Sequence, residues 1–155
     1  MDEILHFDYK NIYDYIKVTG EYTFVDKVDA IPGKEAWGTK LSSMQDWYYR
    51  MHFPGNPIMP GVFLIEMLQT TASLIIYSLE GKKDIQLLFH GVKNMRMYHS
   101  VRPGDVVKSH ITLDRYRLGI ASFTGDAYVD DKLICKAEFT LVAPEEIPRR
   151  LKTDE

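Results

Sequence analysis

His52-Phe53-Pro54-Gly55-Asn56-Pro57-Ile58-Met59-Pro60-Gly61-Val62-Phe63-Leu64-Ile65-Glu66-Met67-Leu68-Gln69-Thr70-Thr71-Ala72-Ser73-Leu74-Ile75-Ile76-Tyr77-Ser78-Leu79 is the stretch that decides the fold. It opens as a loop crowded with prolines and glycines and becomes a run of Leu, Ile, Met and Ala. Proline suits a first helical position, where its missing N–H is not needed, so the helix is predicted to begin at Pro60. Gly81 is the predicted stop signal, just after Glu80. The helix is apolar around most of its circumference, which predicts burial. One face is the exception: Gln69 and Thr70 lie three and four residues after Glu66, and Ser73 lies four and three residues after them.

Around this helix the chain reads as strands. Residues 22–31 partly alternate, Pro32-Gly33-Lys34 signals a turn, and residues 35–41 form a second strand paired with the first as a hairpin. Residues 86–92, 105–113, 120–129 and 133–142 are four more strands, the last three joined by short turns into an antiparallel meander. In the last strand Leu133, Cys135, Ala137, Phe139 and Leu141 share one face, so Cys135 reads as a core residue. Residues 1–18 read as a short helical or irregular cap. Residues 1–145 are expected to form a single α+β domain, an antiparallel sheet wrapped around a helix at about residues 60–80, with 146–155 a loose tail. One sheet covers only part of such a helix, which predicts a homodimer, with higher assembly left open.

Composition narrows the functional classes. The chain has 155 residues and a net charge of -3, so there is no basic footprint for nucleic acid. A single cysteine excludes an intrachain disulfide framework and makes a reducing, cytoplasmic location the expectation. The polar, acidic start Met1-Asp2-Glu3 does not read as a signal peptide, and no uncharged apolar stretch reaches membrane-spanning length. His6, His90, His99 and His110 are scattered without metal-ligand spacing and read as structural or surface residues. The methionines read as packing or tunnel lining.

His52 and Glu66 are the candidate reactive pair. A titratable imidazole in a turn-rich loop, followed by a carboxylate in an apolar run, supplies what proton abstraction and proton return require. Taken singly each has a plainer reading. His52 would be a surface loop residue, and Glu66 would join a solvated stripe with Gln69, Thr70 and Ser73.

The block from His52 to Val62, followed by Glu66, closely resembles the signature of the 3-hydroxyacyl-acyl-carrier-protein dehydratases of the FabZ type, which have a hotdog fold. Val25-Asp26-Lys27-Val28, Asp46-Trp47-Tyr48-Tyr49 and Val101-Arg102-Pro103-Gly104-Asp105 resemble further pieces of that family, and the resemblance covers roughly residues 16–142. It implies dehydration of a 3-hydroxyacyl thioester to a trans-2-enoyl thioester in fatty-acid or polyketide-type biosynthesis. No cofactor or metal is implied, because the substrate rides on the phosphopantetheine of an acyl carrier protein. His52 would remove the proton alpha to the thioester, and Glu66 of the partner chain would protonate the departing hydroxyl. Gly61 would offer its N–H to the thioester carbonyl, at a helix N-terminus where such donors are unpaired. Gln69 and Thr70 are candidate supporting residues. Lys93, Arg96 and Arg102 are candidates for docking an acidic carrier protein.

The chain departs from the family at three places: Met51 stands where the family has Gly, Thr70 where it has Gln, with Gln69 one step earlier, and Lys17-Val18-Thr19-Gly20-Glu21 replaces the family's Pro-His-Arg-Tyr-Pro-like segment before the first strand. These mark it as a divergent relative. They keep two other readings open, a hotdog acyl thioesterase in which Glu66 activates water, and a non-catalytic subunit that binds acyl chains or completes a partner's site.

Overall fold

A computed structural model describes residues 1–151. Its centre is a single α-helix, Gly61–Tyr77 (α1), wrapped by one antiparallel sheet of seven strands. In chain order these are Leu5–Phe7 (β1), Lys27–Ile31 (β2), Glu35–Leu41 (β3), Leu88–Met97 (β4), Val106–Arg117 (β5), Ile120–Val129 (β6) and Lys132–Val142 (β7). They lie side by side in the order β1-β2-β3-β5-β6-β7-β4. This is the hotdog architecture expected from the sequence.

The helix is mostly buried from Leu64 onward, where it packs on β3, β5, β2, β6 and β7. Leu68, Ala72, Leu74, Ile75 and Ile76 are fully excluded from water. Phe123 and Phe139, stacked with centroids 5.4 Å apart, belong to the sheet side of the same core. Burying side chains of this size contributes roughly 1.5–3 kcal/mol each. Its closest approach is to β3, where alternation turns Ala36, Gly38 and Lys40 inward. A Cβ on Gly38 would lie 2.5 Å from Thr71 Oγ1 and 2.6 Å from Ser109 Oγ. Gly38→Ala therefore overpacks the interior and is expected to cost about 1–3 kcal/mol. Urea unfolding reads this as a lowered midpoint at unchanged slope; an unshifted midpoint would show that the helix can move away without cost.

Several boundaries differ from the expectation. Residues 1–18 contain a true edge strand, β1, whose Leu5-His6-Phe7 pairs with Ala30-Asp29-Val28 of β2. The first strand of the hairpin starts at Lys27 rather than at 22, because Gly20–Tyr22 form a 3₁₀ turn. Pro60 sits before the helix as its N-cap, with ψ of 130°, and Gly61 is the first helical residue. The helix stops at Tyr77, and Gly81 closes a following turn with φ of +73°. β4 begins at Leu88 and runs on to Met97, five residues beyond the expected end. Two register shifts, between Phe89 and Gly91 and between Lys93 and Arg96, break its alternation. β5 likewise extends to Arg117.

The segment after β7 is held at its start. Ala143 N–H donates to Gly119 O at 2.7 Å, and the Glu146 carboxylate accepts from Lys82 and from the Tyr116 hydroxyl. Residues 152–155 of the expected tail lie outside the described residues. No described helix is long and apolar enough to cross a membrane.

Candidate active site

The loop that carries His52 is fixed at both ends. On its upstream side a 3₁₀ turn, Trp47–Arg50, ends with the His52 N–H donating to Tyr48 O at 2.9 Å. Tyr48 and Tyr49 are buried, and the Tyr48 ring lies 5.2 Å from Phe63 of the first turn of α1. Lys40 reaches under this turn from β3. Its ammonium lies 3.6 Å from Asp46 Oδ1 and donates to Leu41 O at 3.1 Å, while Asp46 Oδ2 accepts from the Ser43 N–H and the Tyr48 hydroxyl. Burial is the main cause that pushes the Tyr48 phenol well above its ordinary pKa, so it acts as a donor here.

Downstream, Phe53 and Asn56 exchange backbone hydrogen bonds at 2.9 Å in each direction around a tight turn. Gly55 has φ of +74° there, a conformation glycine adopts at little cost. The Ile58 N–H returns to His52 O at 2.8 Å, and the Met59 N–H donates to Val101 O at 2.9 Å.

The ring of His52 is oriented from within this loop. Nδ1 lies 2.9 Å from Ile58 O. A carbonyl oxygen can only accept, so Nδ1 carries the proton and Nε2 of the neutral ring keeps a free lone pair. The imidazole also stacks on Phe53 at 4.0 Å and is half-buried.

Glu66 stands in the second turn of α1, half-buried. Burial raises its pKa above the ordinary carboxylate value, and hydrogen bonds from Gln69 and Thr70 oppose the rise. Gln69 Nε2 donates to Glu66 Oε2, so of the two candidate supporting residues Gln69 makes the direct side-chain bond to Oε2. Glu66, Gln69, Thr70 and Ser73 line one wall of a groove of about 210 Å³, with Leu87 and Phe89 on another. His52 lies outside this groove and shares no hydrogen bond or ion pair with Glu66 among the described residues. Among the described residues no direct bond joins the two within one chain.

Gly61 opens the helix, and its N–H is one of the first-turn donors that a helix leaves without intrahelical partners. A Cβ there would meet Met97 Cε at 3.4 Å, ordinary contact, so its own fold leaves room for a larger residue.

The three candidate docking residues separate. Lys93 and Arg96 are exposed on β4, and Arg96 faces Lys136 across the strands. Arg102 is engaged instead: its Nη1 donates to Asn56 Oδ1 at 2.9 Å and to Pro57 O at 3.2 Å. The Lys40–Asp46 pair was missed in the sequence, although alternation in β3 already puts Lys40 on the inward face with Ala36 and Gly38.

The remaining titratable residues take structural places. His6 pairs with Asp29 at 2.6 Å, and His110 stacks on Trp37 and pairs with Glu35. Cys135 is buried, its thiol pushed up to about 11 by burial and then by Asp126. Among the described residues no group of three His, Cys, Asp or Glu side chains is placed to hold a metal ion.

Known proteins are similar to this chain in sequence and in fold. The FabA-like domain family matches residues 19–138. A 3-hydroxyacyl-[acyl-carrier-protein] dehydratase FabZ of Lactobacillus helveticus is 35% identical over 139 residues, 89% of this chain and 94% of that one. The FabZ of Chloroflexus aggregans is 41% identical over 118 residues, 76% of this chain and 82% of its own. Among solved structures, the dehydratase heterocomplex ApeI:P from Xenorhabdus doucetiae is similar in fold, with a TM-score of 0.58 at 19% identity over 71% of this chain and 88% of that chain. The matched span contains the His52 loop, the whole of α1 and the late strands up to Glu138, and the chain belongs to the FabA-like family.

Proposed function

We propose that the chain is a 3-hydroxyacyl-[acyl-carrier-protein] dehydratase that converts a 3-hydroxyacyl thioester into the trans-2-enoyl thioester and water. The observation that carries this reading is the His52 ring. Its Nδ1–H is spent on Ile58 O, so Nε2 is presented as a base at the end of a rigid loop. The FabZ relatives support the substrate class.

The thioester acidifies the alpha proton, so a base, an acid and an oxyanion donor suffice, without metal or cofactor. His52 Nε2 takes the alpha proton, and the electron pair moves into the enolate. The Gly61 N–H receives the developing oxyanion charge. Collapse of the enolate forms the C2–C3 double bond and breaks the C3–O bond, and Glu66, held protonated more readily by burial, gives its proton to the leaving hydroxyl.

The absence of a direct His52–Glu66 contact within one chain supports a site built from two chains, His52 from one and Glu66 from the other. β4 supports the pairing. It is the last strand of the sheet, and its Leu88, Phe89, Val92 and Met97 are exposed. A second copy adding its own β4 there would cover these residues. The acyl carrier protein would dock on the exposed cations Lys93 and Arg96. Across the strands Arg96 faces Lys136, which in turn faces Asp126, and Lys93 faces Glu138.

Mixing His52→Ala chains with Glu66→Gln chains tests the shared site. Random exchange makes about half of the dimers mixed, each with one intact site, so recovery should approach about a quarter of wild-type turnover. No recovery with heterodimers proved by mass spectrometry would place both residues in one chain. Product analysis on a 3-hydroxyacyl carrier thioester separates the other readings: enoyl product supports dehydration, free acid a thioesterase, and neither a non-catalytic subunit.

A further inference from the structure

We infer that Arg102 is a positioning residue for His52, acting through the loop between them rather than as a docking cation. The kinetic part of this inference rests on the dehydratase reading; its structural part does not.

The base of Arg102 is anchored. Its N–H donates to Asp105 Oδ2 at 2.8 Å, and its carbonyl accepts from the Ser42 hydroxyl at 3.1 Å, which is itself bonded to the Tyr49 hydroxyl. From this fixed point one guanidinium nitrogen reaches two acceptors on the neighbouring loop, Asn56 Oδ1 and Pro57 O. The next carbonyl along the chain, Ile58 O, is the one that accepts from His52 Nδ1, and the Ile58 N–H returns to His52 O. Val101, one residue before Arg102, accepts from the Met59 N–H on the far side of Ile58. Residues 101–102 therefore grip the loop on both sides of the carbonyl that fixes the His52 tautomer.

The bonds of Arg102 point inward, to groups of its own chain, whereas Lys93 and Arg96 make no ion pair among the described residues. A base whose orientation depends on one carbonyl loses alignment when that carbonyl moves, and misplacement on the ångström scale is costly in rate.

The two roles separate on a substrate without a carrier protein. With the 3-hydroxybutyryl thioester of N-acetylcysteamine, Arg102→Ala is expected to lower kcat roughly tenfold and to change KM by less than roughly twofold. Asn56→Ala should reproduce part of the loss, and the double variant should add little to Arg102→Ala, because that variant already removes the links to both Asn56 and Pro57. Hydrogen exchange of the Ile58 amide should quicken in Arg102→Ala while the melting temperature stays near that of the parent. An unchanged kcat on the carrier-free thioester, with the loss confined to carrier-bound substrate, would return Arg102 to docking and overturn the inference. If the parent turns over neither substrate, the dehydratase reading fails, and the Ile58 amide alone decides: unaltered exchange overturns the clamp, and faster exchange upholds it.

Discussion

His52→Ala is expected to lower kcat by about a hundred- to ten-thousandfold, the usual cost of removing a general base. The fold should survive it. The side chain is half-buried and contributes one hydrogen bond, from Nδ1 to Ile58 O. The backbone bonds that shape the loop, Ile58 N–H to His52 O and His52 N–H to Tyr48 O, do not involve the ring. Turnover on a 3-hydroxyacyl carrier thioester, measured beside a thermal melt, checks both halves. Parent-like turnover in a folded His52→Ala protein would remove His52 from the chemistry. A collapse of the melting temperature would mean that the imidazole holds the loop more than it serves the reaction.

Glu66→Gln is expected to be nearly as inactive, because an amide keeps the shape and cannot deliver a proton. Its stability should move the other way, with a pH dependence whose sign follows from burial. The folded state raises the Glu66 pKa above its value in the unfolded chain, so folding favours the protonated carboxyl. The native form keeps its full stability below the unfolded-state pKa and loses part of it as pH rises through the folded-state value. Gln carries no such penalty. The variant should therefore melt at or above the parent at neutral pH, and the gap should close as pH falls into the acid range. A variant that melts lower than the parent at neutral pH would show that the charged carboxylate, with the bond it accepts from Gln69, stabilises the fold.

The helix and the inner strands were legible because burial writes a pattern. Glu35–Leu41 and Ile120–Val129 alternate cleanly, and the structure returns both with the expected bounds. β4 was misplaced for the opposite reason. It is exposed along most of its length, so Lys93, Asn94 and Arg96 read as loop, and its two register shifts erase the period of two. Asn94, at φ of +54°, marks one of those irregularities. The end of α1 was read too late because apolar Leu79 continues the pattern into a turn that still packs on the core. β1 was missed because three residues carry too little alternation to stand out.

The site divides in the same way. The spacing of His52, Gly61 and Glu66 is local and could be read. The role of Arg102 depends on its meeting Asn56, and on Val101 meeting Met59, each across more than forty positions, and residue type alone made it look like a free surface charge. Lys40 was readable from strand alternation but looks unremarkable in composition.

The two ends of the sheet are unequal, and this limits how far the protein can polymerise. β4 is a ten-residue edge that exposes Leu88, Phe89, Val92 and Met97 beside Lys93 and Arg96, whereas the opposite edge, β1, is three residues long and carries His6 paired with Asp29 beside it. A sheet with two open edges can add copies without end and grow into a fibre. In the dimer proposed above, one copy would consume the β4 edge of another, and both would present only the short margin of β1 to whatever arrives next. The bulges of β4 bend that edge and admit fewer registers than a flat strand would. Resistance to open-ended growth would then reside in strand length and strand curvature, and lengthening β1 with a β-branched extension is the change most apt to promote aggregation.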